Sequence, residues 1–142
     1  MSVSARLELY QQQHAVLLRA ARALEADTAG EWLPGSPESA RGHLLHLSGK
    51  LTVHLQMEDR SLYPALLACG DPEVREVARR FQWEMGDLRN AAGAFWHRWL
   101  SPEAIAGEPA AFRTEGLDLL DKLSRRIGSE DDQLYPLAER AG

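Results

Sequence analysis

Apolar residues recur three and four positions apart along almost the whole chain, and no stretch keeps the alternation of a half-buried strand. In residues 4–27, Leu7, Tyr10, His14, Leu17, Ala21 and Leu24 fall on one helical face. The pattern breaks at "TAGEWLPGSPES". Ser36-Pro37-Glu38 then makes a helix start: a hydroxyl able to cap, a proline in the first turn, and an acid beside the positive helix end. The spacing predicts a second helix from there to about residue 68, closed by Gly70. Asp71-Pro72-Glu73 opens a third that reaches about residue 100. "SPEAIAGEP" reads as a loop with room for a short helical turn, and a fourth helix covers about residues 110–140. Long helices on short connections predict an all-α fold, an antiparallel up-down four-helix bundle. At 142 residues, the chain 1–142 reads as a single domain able to bury a core.

The pattern also repeats. "HLQMEDRSLYP" at residues 54–64 and "RIGSEDDQLYP" at residues 126–136 both place Glu-Asp before Leu-Tyr-Pro. A shift of 72 residues carries Leu47 to Leu119, Lys50 to Lys122, Leu51 to Leu123, Glu58 to Glu130 and Leu62 to Leu134. A shift of 70 aligns the first helix with the third through Leu18 and Leu88, Arg19 and Arg89, Ala21 and Ala91. It sets His14 opposite Glu84. The bundle is therefore expected to be two helical hairpins related by an approximate twofold. The proline of each Leu-Tyr-Pro falls within or near the end of a helix, where a kink is expected.

Composition narrows the function classes. The net charge of −5 and pI near 5.5 argue against nucleic acid as a partner, because phosphate binding needs a positive surface. No apolar run approaches the length of a membrane span. The first residues, "MSVSARLELYQQQ", lack an apolar signal core, and the lone Cys69 fits a reducing compartment, so a cytoplasmic location is expected.

The chemistry lies on the buried faces. His54 and Glu58 are four residues apart and share a face with Leu47, Leu51 and Leu62. His14 sits among apolar neighbours, and Glu130 holds the place matching Glu58. Buried imidazoles and carboxylates are costly unless paired, hydrogen-bonded or bound to metal. Several at one level of a bundle suggest a metal site on facing helices.

The order His14, then His54-x-x-x-Glu58, then Glu130 within "EDDQLYP" resembles the hemerythrin-like, or HHE cation-binding, domain over nearly the whole chain. The most specific part is His-x-x-x-Glu-Asp-x-x-Leu-Tyr-Pro. The resemblance implies that each half supplies a leading histidine and a His-x-x-x-Glu, that the pooled ligands hold a non-haem di-iron centre with bridging glutamates, and that the protein binds oxygen, senses oxygen or redox state, or handles iron and nitric oxide.

The chain departs from that pattern where Glu84 and Arg126 stand in place of the second half's histidines. A guanidinium has no free lone pair and does not ligate. The expected site is thus His14, His54, Glu58 and Glu130, with Glu84 either a further ligand or the ion-pair partner of Arg126. The guanidinium would then replace a second cation. Two imidazoles with carboxylates suit one iron ahead of a di-iron pair, with manganese or zinc as alternatives. An open position would take water, O2 or another small diatomic. Two readings stand side by side: a metal-binding or sensing protein, and a metal-free helical interaction module on a relic scaffold. Catalysis ranks below both, because no separate substrate pocket or acid–base pair is legible. His43, His46 and His97 read as packing, helix-end or surface residues, and Cys69 as structural. Tyr63 and Tyr135 read as packing residues, with a hydroxyl bonded to a ligand carboxylate as the alternative. Trp83, Trp96 and Trp99 read as packing residues too, and one left outside would mark a homodimer surface.

Overall fold

Pro64 and Pro136 decide where two of the helices change pitch. Neither has an amide hydrogen to bond back four residues, and each ring crowds the carbonyl there. The turn before each proline widens: the Tyr63 amide bonds Glu58 O and the Tyr135 amide bonds Glu130 O, five residues back. In the computed structural model, which describes residues 3–27 and 36–141, every regular element is helical. These are α1 (Val3–Asp27), α2 (Ser36–Met57), α3 (Tyr63–Leu67), α4 (Pro72–Arg98), α5 (Pro102–Gly107), α6 (Pro109–Ser129) and α7 (Tyr135–Ala141). The π turns Glu58–Leu62 and Glu130–Leu134 join α2 to α3 and α6 to α7. Four rods result: α1, α2–α3, α4 and α6–α7. The expected second and fourth helices are therefore continuous rods with a widened turn, and the expected loop after the third contains α5. The predicted loop at residues 28–35 lies outside the described residues.

Pairs across the rods fix their directions. Tyr10 bonds Met57 while Asp27 bonds His43, so α1 and α2 run antiparallel. Asp59 pairs with Arg89 and Arg41 bonds Leu100, setting the second rod against α4. Arg98 pairs with Glu115 while Arg126 covers the Phe81 ring, setting α4 against α6. His14 with Asp131 and Tyr10 with Tyr135 close the ring between the first and last rods. The start signal at Asp71 acts where the sequence places it, its carboxylate accepting from the Glu73 amide at 2.9 Å, and α5 has its own cap, the Ser101 hydroxyl accepting from the Ala104 amide at 3.1 Å.

The core divides into two apolar clusters. One is built around Leu17, Leu24, Leu44, Leu88, Trp99 and Phe112. The other holds Leu7, Leu62, Leu66, Phe81, Leu134 and Leu137, with Tyr10, Tyr63 and Tyr135. Each fully buried large apolar side chain contributes about 1.5–3 kcal/mol, enough in sum for the fold to carry a polar layer between the clusters. Trp99 is buried and Trp96 packs against the core, whereas Trp83 stands 77% exposed on α4. Among the described residues, no helix is long and apolar enough to cross a membrane.

Candidate metal centre

Between the two clusters lie the buried polar residues His14, His54, Glu58, Arg126 and Glu130. Each follows from helical spacing. His14 sits one turn from Tyr10 on one side and Leu17 on the other, and His54 follows Leu51. Glu58 and Glu130 each open a π turn, which sets their carboxylates level with the histidines.

Ligand atoms of His14, His54 and Glu130 all lie within 4.8 Å of one another. His14 Nε2 is 3.1 Å from His54 Nε2 and 2.8 Å from Glu130 Oε1, and His54 Nε2 is 3.5 Å from Glu130 Oε1. His54 Nε2 is also 3.2 Å from Glu58 Oε1. These spacings match neighbouring donors around an ion with bonds of about 2.1 Å.

The outer ring nitrogens set the tautomers. His14 Nδ1 lies 2.9 Å from Asp131 Oδ1, and His54 Nδ1 lies 2.7 Å from Gln13 Oε1. Both nitrogens donate to those oxygens, so each neutral ring turns the lone pair of Nε2 inward. Two lone pairs then face each other beside two carboxylates, and the buried Glu58 Oε1, 3.2 Å from His54 Nε2, has no well-aligned hydrogen bond. The arrangement calls for a cation, and the donor set fits a transition-metal ion.

The electrostatics agree. Burial opposes the charged form of His54, but hydrogen bonds to Glu130 and Glu58 outweigh it and hold its pKa near 9, so a proton takes the cation's role in the metal-free chain. Burial, with Glu130 nearby, raises Glu58. Glu130 meets the same burial, yet its close contacts with His14 and His54 and the charge of Arg126 carry it well below the usual carboxylate range. Burial and the two carboxylates push the Tyr135 phenol far up.

Arg126 completes the layer on its other side. Its Nε donates to Glu130 Oε2 at 3.2 Å, its Nη2 donates to the Tyr63 hydroxyl, and its guanidinium lies 4.8 Å from the centre of the Phe81 ring. The Glu84–Arg126 pair expected from sequence does not form. Glu84 is on the outer face of α4, with a side chain 53% exposed and Arg80 as its ion-pair partner at 4.0 Å. The reason is register. Buried Leu7, Tyr10, His14, Leu17, Ala21 and Leu24 of α1 correspond to buried Ala78, Phe81, Met85, Leu88, Ala92 and Phe95 of α4, a shift of 71 rather than 70. The counterpart of His14 is Met85, and Glu84 falls about 100° away around the helix.

The structure thus brings together His14, His54 and Glu130, sets Glu58 3.2 Å from His54, and leaves Glu84 outside. Gln13 and Asp131, the partners of the histidines, have no ligand spacing of their own in the sequence; their adjacency to His14 and Glu130 is the available signal. The repeat counterpart of Asp131, Asp59, bonds Arg89 at 2.8 Å on the surface. His46 and His97 are exposed, and His43 bonds Asp27 at 2.6 Å near the far end of α1.

The chain matches the family described as hemerythrin HHE cation binding domain over residues 6–138. It belongs to that family. Neither the curated proteins nor the solved structures yield a match. The family's cation-binding character agrees with the candidate cluster at His14, His54 and Glu130, a hemerythrin-like centre within a helical bundle.

Proposed function

We propose that this hemerythrin-like chain binds one metal ion, iron foremost, through His14, His54, Glu130 and Glu58, and uses it to bind or sense a small diatomic such as O2. The observation that carries the reading is the pair of inward Nε2 atoms 3.1 Å apart, their outer nitrogens engaged by Asp131 and Gln13, beside the buried carboxylates of Glu130 and Glu58. Manganese or zinc would suit the same donors, with supply as much as affinity deciding between them.

When bound, iron supplies a Lewis-acidic, redox-active centre. The protein's own residues do the rest. Asp131 and Gln13 hold the imidazoles in the ligating tautomer. Arg126 keeps Glu130 ionised, and the Tyr135 hydroxyl donates to Glu58 Oε2 at 2.9 Å. The two apolar clusters exclude water on either side, which strengthens every electrostatic contact in the layer. A mostly apolar cavity of about 240 Å³, lined by Leu7, Leu62, Leu66 and Cys69 with Arg6 and Ser61, includes Tyr10, whose ring centre is 6.1 Å from that of His54. A mostly apolar cavity beside the layer suits an uncharged diatomic.

Arg126 favours one ion over two. It occupies the place that the repeat gives to a second His54, and its charge already neutralises one carboxylate. The test is metal content after anaerobic purification from iron-supplemented cells, for wild type beside His54→Ala. About one equivalent in wild type and almost none in the variant is expected. Equal loads in the two would show the ion to be elsewhere, and a metal-free wild type that resists reloading would favour the interaction module.

A further inference from the structure

The hydroxyl of Tyr135 lies among the donor atoms. Its Oη is 3.2 Å from His14 Nε2, 3.4 Å from Glu130 Oε1 and 2.9 Å from Glu58 Oε2. The other donors keep similar separations, 2.8 Å between His14 and Glu130 and 3.1 Å between the imidazoles. A phenol has one hydrogen to give. Once that goes to Glu58, the oxygen still faces a second carboxylate and, with His14 Nδ1 donating to Asp131, the lone pair of a neutral His14 Nε2, and has no hydrogen left for either. A phenol that only steadied Glu58 would not need to stand this close to both.

Resting on the reading that the layer binds one ion, we propose that Tyr135 is itself a ligand and that the site is built for ferric iron held in part by a phenolate. Glu58, Glu130 and the Tyr135 phenolate supply three anionic oxygen donors, and donors of this kind suit a hard cation. On binding, the Tyr135 O–H bond breaks, an oxygen–iron bond forms, one proton is released to solvent, and the iron's oxidation state does not change.

Tyr63 is the internal control. It is the counterpart of Tyr135 at a shift of 72 residues and is just as buried. Its hydroxyl instead accepts from Arg126. Tyr10 also lies nearby, but its hydroxyl donates to the Met57 carbonyl at 3.4 Å. Of the three tyrosines, only Tyr135 has a hydroxyl within hydrogen-bond distance of the ligating nitrogen of His14.

The experiment loads the metal-free chain with ferric nitrilotriacetate, removes excess chelate, and measures iron per chain, visible absorbance and resonance Raman scattering. Wild type, Tyr63→Phe and Tyr10→Phe are expected to bind one iron and to show a phenolate-to-iron charge-transfer band with tyrosinate ring modes. Tyr135→Phe is expected to keep iron and lose the band. Iron without the band in wild type, or a band that survives in Tyr135→Phe, overturns the ligand assignment and leaves one-ion binding standing. Failure of wild type to bind iron overturns both. Should Tyr135→Phe not fold, ring modes present in wild type, Tyr63→Phe and Tyr10→Phe support the assignment by elimination, and their absence from wild type refutes it.

Discussion

Replacing Arg126 with alanine removes the fixed positive charge that the described residues place in the polar layer. The side chain is 9% exposed, so solvent screens it little. Its Nε is 3.2 Å from Glu130 Oε2. At that separation, an effective dielectric near 20 gives an attraction of roughly 5 kcal/mol before desolvation is subtracted. Desolvation of two buried ions cancels much of this, so the pair's net worth against an apolar replacement is small. The substitution measures something else. It leaves the Glu130 carboxylate, 1% exposed, with its histidine partners and the Tyr135 hydroxyl but no fixed cation, and strips the Tyr63 hydroxyl of its donor. Breaking a buried pair in this way costs about 3–5 kcal/mol. The guanidinium over Phe81 adds up to about 1 kcal/mol.

The assay is equilibrium urea unfolding of the metal-free chain near neutral pH. Arg126→Ala is expected to lose about 3–5 kcal/mol, and Arg126→Met, which keeps the apolar stem, to lose less. A double-mutant cycle with Glu130→Gln isolates the pair, and a coupling energy above about 1 kcal/mol is expected. A loss under about 1 kcal/mol for Arg126→Ala is the range of exposed pairs and would refute the reasoning, as would zero coupling.

Further outcomes follow from the same geometry. His54 must shed its proton to ligate, and its pKa stands near 9, so apparent metal affinity is expected to tighten by about tenfold per pH unit from near 6.5 and to level off above 9, measured by competition with a chelator of known affinity. The same raised pKa stabilises the metal-free fold fully below about 6.5, the unfolded histidine value, and that part of the stability is lost as pH rises through 9, visible as a falling melting temperature. Asp131→Ala frees the outer nitrogen of His14 and is expected to weaken metal binding by roughly 10–100-fold, while Glu84→Ala leaves both metal content and stability unchanged within about 0.5 kcal/mol. Equal effects of the two substitutions would mean that the α4 surface takes part in the site.

Much of the fold was legible because the chain punctuates itself. Asp71-Pro72-Glu73 begins α4 where it reads as beginning, and the 3.6-residue stripe in the first helix names the residues that α1 buries. The two Leu-Tyr-Pro phrases announced a disturbance. Its form, one carbonyl bonded five residues on, depends on how the chain relaxes around a proline ring, which a pattern of residue types does not specify. The short α5 was legible only as room for a helical turn within a loop, for a related reason. Its six residues bury Ile105 and show too little periodicity to stand out from a loop.

The site shows how much hangs on a single residue of register. Residue identity favours a shift of 70 between the first and third helices, because exposed positions such as Arg19 and Arg89 happen to agree. Burial demands 71, because Tyr10 and Phe81, Leu17 and Leu88, and Leu24 and Phe95 must all face inward together. One step around a helix is about 100°, enough to carry a carboxylate from the core to solvent. At the correct register the second half offers Met85 where the first offers His14, and Arg126 where it offers His54. Both changes remove a ligand from the same side of the layer. A thioether and a guanidinium leave Glu130 facing the histidines of the other half, and Tyr63 turns to the guanidinium while its counterpart Tyr135 turns to the donors. The asymmetry is therefore one concerted feature of the layer, and it is why a repeated sequence builds a single candidate site.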